Sequence, residues 1–306
     1  MASKVCPWWL LLVVLAAVAS FARAAEAPAP APAPAFDDNY KPQYGADGHH
    51  LINRGTEVDL ILDRSSGAGF CSKSAYGSGL FHMRMKIPSG YTAGVVTTFY
   101  LISQPEDGGH DEIDFEFLGS KAGRPVTLQT NVIIDGQSFR EQRLHLWFDP
   151  AADFHDYKIL WNAHQLVMFV DDTPVRVLRN LTAAVPGYRF PSKPAMLVRA
   201  SVWDGSAWAT DGGRVKVDWS KAPFAAAFRG FDIDAACAVG GGAVTTTPPC
   251  YDDDSKALWW NGGEYEALSG AQRAAYEGVK RNSMVYDYCT DELRFNNQVP
   301  IECSYN

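Results

Sequence analysis

From Glu112 to Phe117 the chain alternates carboxylates with large apolar residues, Glu-Ile-Asp-Phe-Glu-Phe. This period of two is the pattern of a strand: Glu112, Asp114 and Glu116 share one face, and Ile113, Phe115 and Phe117 share the other. Any fold for this chain must bury the second face while leaving three acids on the first.

Asp and Glu are poor strand formers and three like charges in a row repel one another, so the acid face needs a functional reason. At a rise of roughly 3.3 Å per residue, the Cα atoms of Glu112 and Glu116 lie about 13 Å apart. Two Glu side chains leaning together over a concave sheet close that gap to the roughly 5 to 5.5 Å that a retaining glycosidase needs between nucleophile and acid/base. Asp114 then sits between them. Repulsion among the three is expected to hold one proton near neutral pH, which keeps one Glu available as an acid. A solvated strand and a calcium site built from the same oxygens are the alternatives this stretch leaves open.

The rest of the chain supplies strands and no long helical period. Runs at 57–62, 80–87, 94–102, 126–134, 157–161, 166–170 and 195–202 are rich in β-branched and aromatic residues and bounded by Gly, Pro, Asp and Asn, as strands are. Regular strands without intervening helices over residues 36–228 predict one all-β domain, a sandwich or jelly roll, rather than a parallel α/β sheet.

The ends read differently. Residues 1–24 carry Lys4, an apolar run from Trp8 to Val18, and Ala22-Arg23-Ala24, the pattern of a secretory signal peptide too short to span a membrane. Residues 25–35 are an Ala-Pro repeat, which forbids helix and favours an extended polyproline spacer. Losing Lys4 and Arg23 takes the formal charge from -8 to -10, and so acidic a chain suits neither nucleic acid nor an anionic membrane surface. The expectation is a secreted monomer.

Cysteine usage fits export. Once Cys6 leaves with the signal, Cys71, Cys237, Cys250, Cys289 and Cys303 remain, four of them in a C-terminal extension over 229–306. Four cysteines allow three connectivities; the simplest is sequential, Cys237 with Cys250 and Cys289 with Cys303, which leaves Cys71 as an odd, buried thiol. Within this stapled extension, Ser269 to Gln272 is a capping box that opens a short helix with Ala275, Tyr276 and Val279 on one face. Asn180-Leu181-Thr182 is the single Asn-x-Ser/Thr sequon, so an N-glycan is expected at Asn180. There is no zinc spacing, phosphate loop or dinucleotide fingerprint, and Gly240-Gly241-Gly242 reads as a flexible tip. No metal and no cofactor is expected.

Most of the nine tryptophans, Trp147, Trp161 and Trp219 among them, are expected in the core. Trp203 and Trp208 stand in a Gly- and polar-punctuated loop after an apolar strand, where exposed rings can stack on the flat faces of sugars.

These features come together in a resemblance. The segments His110 to Gly119, Gly67-Ala68-Gly69-Phe70, Phe99-Tyr100-Leu101, Gln129-Thr130-Asn131-Val132, Arg140-Glu141-Gln142, Leu146 to Pro150, Asp218 to Phe224 and Tyr288-Cys289-Thr290-Asp291 are similar, in order, to landmarks of plant xyloglucan endotransglucosylase/hydrolases of glycoside hydrolase family 16. The resemblance implies a curved β-jelly roll whose C-terminal extension completes the acceptor side of a groove for xyloglucan or a related β-glucan. It implies Glu112 as nucleophile, Glu116 as general acid/base and Asp114 as the residue that orients the nucleophile. Tyr100, Gln129, Asn131, Arg140, Glu141, Trp203 and Trp208 match positions that line sugar subsites.

The implied activity is cleavage of a β-1,4-glucan with retention and transfer to another chain, in the cell wall or apoplast. Endo-hydrolysis is the runner-up. Hydrolytic members carry an inserted loop near the groove, for which the run from Thr210 to Trp219 leaves no room. A glucan-binding lectin on the same sandwich would keep the stacking aromatics but has no need for three crowded acids. The chain departs from the family pattern in a longer loop at 104–109, in Ser120-Lys121-Ala122 where a glycosylation sequon is usual, in Cys71 for a Gln, and in Gly205-Ser206-Ala207 for more acidic residues.

Overall fold

The computed structural model describes residues 33–103, 109–191, 195–239, 249–251 and 256–305. The expected signal peptide, residues 25–32 of the spacer, residues 104–108 of the long loop and the glycines at 240–242 lie outside these residues.

Ten strands follow one another in a single hydrogen-bonded path: Thr173–Arg179, Gln165–Val170, His155–Trp161, Ala68–Lys86, Met196–Asp204, Val95–Ser103, Glu112–Leu118, Thr127–Ile134, Gln142–His145 and Met284–Asp287. Neighbours along it are antiparallel. The 19-residue strand Ala68–Lys86 belongs to both layers. Its first half pairs with Met196–Asp204 and its second half with His155–Trp161. The path thus folds back on itself as a jelly-roll sandwich, and shorter strands pair off its edges.

All seven expected strands are present with small shifts at their ends. The main difference is the long strand, expected from Leu80 and found from Ala68. Residues 67–79 are Gly- and Ser-rich, a composition with low strand propensity. Small residues are needed because backbones pass close here: a Cβ on Gly67 would lie 2.2 Å from the Val202 carbonyl oxygen, so contact overrides propensity. Thr173–Arg179 was hidden by Pro174 and Arg176. Arg176 is only 1% exposed, yet its Nη1 donates at 3.1 Å to both the carbonyl and the hydroxyl of Thr130 in the facing layer.

The apolar face of the acid strand builds the core. Ile113, Phe115 and Phe117 are buried. Phe115 and Phe117 meet Tyr157 of the opposite layer edge-on at 5.7 and 5.0 Å, and Phe115 stacks on Phe99 at 6.2 Å. Burying each of these phenylalanine rings is worth roughly 1.5 to 3 kcal/mol. Trp161 is buried as expected, whereas Trp147 is 49% exposed and is not a core residue.

The C-terminal extension does two jobs. Its strand Met284–Asp287 pairs with Gln142–His145 and widens the acid-bearing layer by one strand. Its helix, Gly270–Asn282, packs on the other layer, where Tyr276 and Trp260 join Leu160, Val167 and Val177 in a second apolar cluster. The capping box is formed: the Gln272 amide N–H donates to Ser269 Oγ at 3.2 Å, and the Ser269 N–H donates to Gln272 Oε1 at 3.0 Å. Tyr276 and Val279 are buried, but Ala275 is exposed and does not share their face. Cys237 is bonded to Cys250 and Cys289 to Cys303, with Cα separations of 5.6 and 5.3 Å, and Cys71 is free and buried.

Gly119 ends the acid strand in a site where a Cβ would lie 1.8 Å from the Thr92 carbonyl oxygen and 2.9 Å from that of Val95. Both are backbone atoms that cannot step aside cheaply. Gly119→Ala is therefore expected to lower stability by about 3 kcal/mol, read as a shifted midpoint in urea unfolding. A loss below about 0.5 kcal/mol, the scale of a neutral surface change, would show that this turn is not close-packed.

Candidate active site

The acid strand lies between Val95–Ser103 and Thr127–Ile134, and register decides its surroundings. Asp114 is directly opposite Tyr100 on one side and Asn131 on the other. Glu116 is opposite Thr98 and Gln129, and Gln129 is opposite Arg143. Tyr286 of the C-terminal extension is opposite Arg143 in turn. Directly opposed residues point to the same side of a sheet, so one face carries the acids, an amide row and then a cation.

Hydrogen bonds link this row. Gln129 Nε2 donates to Glu116 Oε2 at 2.6 Å, and its Oε1 accepts from Arg143 Nε at 2.7 Å. The Arg143 guanidinium lies 5.1 Å from the centre of the Tyr286 ring. At the other end of the strand, His110 Nε2 lies 3.1 Å from Glu112 Oε2. Asp114, between the two glutamates, is hydrogen-bonded to Glu112 and only 4% exposed.

Proton affinities are displaced as a crowded acid face requires, though the first cause is not the expected one. Burial, more than repulsion, raises Glu116 to about 7; Gln129 works against the rise and Glu112 adds to it. Asp114 is raised well above the usual carboxylate range, again by burial first and then by Glu112 and Glu116. The carboxyls at positions 114 and 116 therefore hold their protons to higher pH than free carboxylic acids do, Glu116 up to about 7.

The expected sugar-contacting residues divide. Tyr100, Gln129 and Asn131 share the acid face by register; Asn131 donates from Nδ2 to Ser138 Oγ at 3.0 Å. Glu141 lies close enough to Glu116 to raise its proton affinity and is held by Arg294 through contacts of 2.7 and 3.1 Å. Arg140 stands apart: it is 8% exposed, and its Nε donates at 2.6 Å to the buried carboxylate of Glu302. Trp203 closes the Met196–Asp204 strand rather than lying in the loop after it, and its ring centre is 6.2 Å from that of Trp208. Both rings are half-buried and pack on Val96, Leu118 and Ala209 at the Glu116 end of the face.

Sequence reading missed Arg143, Tyr286 and Arg294. Arg143 had a local signal, since it stands two residues after Glu141 and so on the same side of a strand; Tyr286 and Arg294 are brought in by the extension from far along the chain. Among the described residues no cluster of His, Cys, Asp and Glu is arranged to hold a metal ion.

Residues 36–221 match the profile of glycosyl hydrolases family 16, and residues 254–303 match that of the xyloglucan endo-transglycosylase C-terminus. The chain belongs to glycosyl hydrolases family 16. Within this family it is 49% identical to xyloglucan endotransglucosylase/hydrolase protein 3 of Arabidopsis thaliana over 88% of each chain. It is 42% identical to xyloglucan endotransglucosylase protein 34 of Populus tremula x Populus tremuloides, over 97% of this chain and 96% of that protein. Among solved structures, the apo Crh5 transglycosylase superposes with a TM-score of 0.52 at 23% identity, covering 67% of this chain and 80% of that one. That likeness shows a shared fold.

A raised carboxyl weakens the folded state at high pH. At pH 4 Glu116 is mostly protonated whether the chain is folded or not, so its contribution is small there. Between the ordinary value of 4.5 and the folded value of about 7, the unfolded chain releases the proton while the folded chain keeps it, so stability falls as pH rises across that window and stays lowered above it. Glu116→Gln is expected to gain on the order of 2 kcal/mol over wild type at pH 8 and little at pH 4, measured by chemical denaturation. An equal gain at both pH values would show that the carboxyl is not displaced.

Proposed function

We propose that this protein is a secreted xyloglucan endotransglucosylase in which Glu112 is the nucleophile, Glu116 the general acid/base and Asp114 the residue that holds Glu112 in place. The observation that carries this reading is the row hydrogen-bonded from Glu116 across Gln129 to Arg143, whose guanidinium lies over the Tyr286 ring. A solvated strand has no need for it. The names of the relatives support xyloglucan as the substrate class.

In the first half-reaction a Glu112 oxygen attacks C1 of the backbone glucosyl unit and the bond from C1 to the departing chain's oxygen breaks. Glu116, protonated up to about pH 7, gives its proton to that oxygen. In the second, the hydroxyl of an acceptor chain passes its proton to Glu116 while its oxygen attacks C1 and Glu112 leaves. Chemistry alone does not choose between an acceptor sugar and water, so occupancy decides. Tyr286, Arg143 and Arg294 extend the polar surface beyond Glu116 on the side widened by the extension, which favours a held acceptor chain. A short turn at Asp211–Gly213 lies in the run from Thr210 to Trp219, where the resemblance to the family puts the insertion of hydrolytic members.

Wild-type protein given xyloglucan and its oligosaccharides together is expected to redistribute chain length with little release of reducing ends, and Glu112→Ala to lose at least about a thousandfold of that turnover while keeping glucan binding. Near-wild-type turnover in the variant would remove Glu112 from the role. Hydrolysis exceeding transfer at saturating acceptor would place the protein on the hydrolase side.

The leader at 1–24 and the spacer at 25–35 support export, as does the pair of disulfides; no helix of the described residues is long and apolar enough to cross a membrane. We place the catalytic domain at 36–228 and the acceptor-side extension at 229–306. The same route would glycosylate Asn180. Its Nδ2 donates to the Ala163 carbonyl at 2.8 Å, and a glycosylated amide keeps one N–H for that bond. Peptide mapping of protein secreted by a plant or yeast host is expected to find the glycan at Asn180; an unmodified site refutes it.

A further inference from the structure

Beyond Glu116 the acid face runs into a cavity of about 330 Å³ lined by Leu118, Lys121, Arg124, Thr127, His145 and Asp211, among others. Leu118 follows Glu116 at the strand period, Thr127 is directly opposite Leu118, and His145 is opposite Thr127. The cavity floor is therefore the acid face continued. Two residues of strand, roughly 7 Å, separate Leu118 from Glu116. Leu118 and Ala209 also pack against Trp203 and Trp208, so the cavity adjoins both the acid/base and the tryptophan pair.

Buried bonds fix the backbone that carries its exposed side chains Lys121, Arg124 and Asp211. Thr210 Oγ1 donates to the Gly119 carbonyl at 2.6 Å and accepts from the Gly94 N–H at 2.8 Å. The Ser120 hydroxyl donates to the Arg124 carbonyl at 2.9 Å, its N–H donates to Thr92 Oγ1 at 3.1 Å, and its carbonyl accepts from the Thr92 N–H at 2.9 Å. A preformed polar cavity of this volume, at the low end of ligand sites, has room for one monosaccharide and not for a chain.

The charge is unlike that of the whole. In a chain of formal charge -8, three cations gather round the cavity's one carboxylate. Lys121 Nζ donates to Asp211 at 2.9 Å, and Arg214 and Arg124 act on the same carboxylate from further off. Lys121 and Asp211 cancel, and Arg124 has no carboxylate in ion-pair contact among the described residues. Guanidinium is the side chain whose planar fork matches a carboxylate.

We propose that this cavity is a subsite for an anionic side sugar, a hexuronosyl group that ends a side chain of the glucan, whose carboxylate pairs with Arg124 while its ring lies over Leu118. The assignment rests on the glucan activity proposed above and adds a substrate preference to it. A neutral side sugar gains only hydroxyl contacts at the same place.

The probe is xyloglucan whose terminal galactosyl groups have been oxidised at C6 to the carboxylate, compared with the untreated polymer. Wild-type kcat/KM is expected to be about fivefold higher on the oxidised polymer, the size of one good partly exposed charge pair. The ratio falls to about 1 in Arg124→Gln, recovers in part in Arg124→Lys, and shrinks at about 0.5 M NaCl as screening requires. A ratio of 1 in wild type overturns the proposal, as does a preference that Arg124→Gln retains. Affinity electrophoresis of Glu112→Ala in gels of each polymer separates the two readings. If neither polymer is turned over by wild type, the transferase reading fails, while stronger retardation by the oxidised polymer, lost on adding Arg124→Gln, still supports the subsite, and equal retardation still overturns it.

Discussion

The contact on which the rest of the molecule depends is that of Phe115 and Phe117 with Tyr157 across the sandwich. Side chains alternate with a strict period of two, so once these rings are committed to the core, Glu112, Asp114 and Glu116 have only the other face to occupy. A slip of one residue would bury three carboxylates and expose two phenylalanines. Core packing therefore sets the geometry of the acid face, and the stability of the fold enforces its register.

That enforcement has an electrostatic cost that is also the working principle of the site. The acid face is bounded by strands and rings closely enough that burial, ahead of mutual repulsion, raises Glu116 and Asp114. An isolated strand bearing the same acids would ionise all of them at neutral pH. The amide of Gln129 and the guanidinium of Arg143 limit the rise, which leaves Glu116 near the pH at which a group both gives and takes a proton readily.

The C-terminal extension is continuous with this arrangement rather than an addition to it. The strand Met284–Asp287 is hydrogen-bonded into the acid-bearing layer, the helix Gly270–Asn282 covers the other layer, and Arg294 reaches Glu141 beside the acids. Disulfides at Cys237–Cys250 and Cys289–Cys303 link cysteines 13 and 14 residues apart within it, and a cross-link stabilises mainly by restricting the unfolded chain. The buried pair of Arg140 and Glu302 joins the same extension to the sandwich.

The alternation from Glu112 to Phe117 by itself determined the strand, its two faces and the grouping of three acids, because side-chain period is a local property of an extended backbone. The capping box at Ser269 and Gln272 was legible for the same reason: both partners lie within one helical turn. What sequence could not decide was what arrives from a distance. Arg140 and Arg143 are three residues apart and equally cationic, yet pairing with Thr127–Ile134 turns Arg143 toward the acids, while Arg140 meets Glu302 from the far end of the chain. At the Gly- and Ser-rich start of Ala68–Lys86, neighbouring chain passes too close for larger side chains, Val202 at Gly67, Tyr44 at Gly69 and Ala235 at Gly79, and such contacts come only from the tertiary structure. The proton on Glu116 was foreseen with repulsion as its cause, but burial is a property of the packed molecule, and only the tertiary structure decided how much water the acids keep.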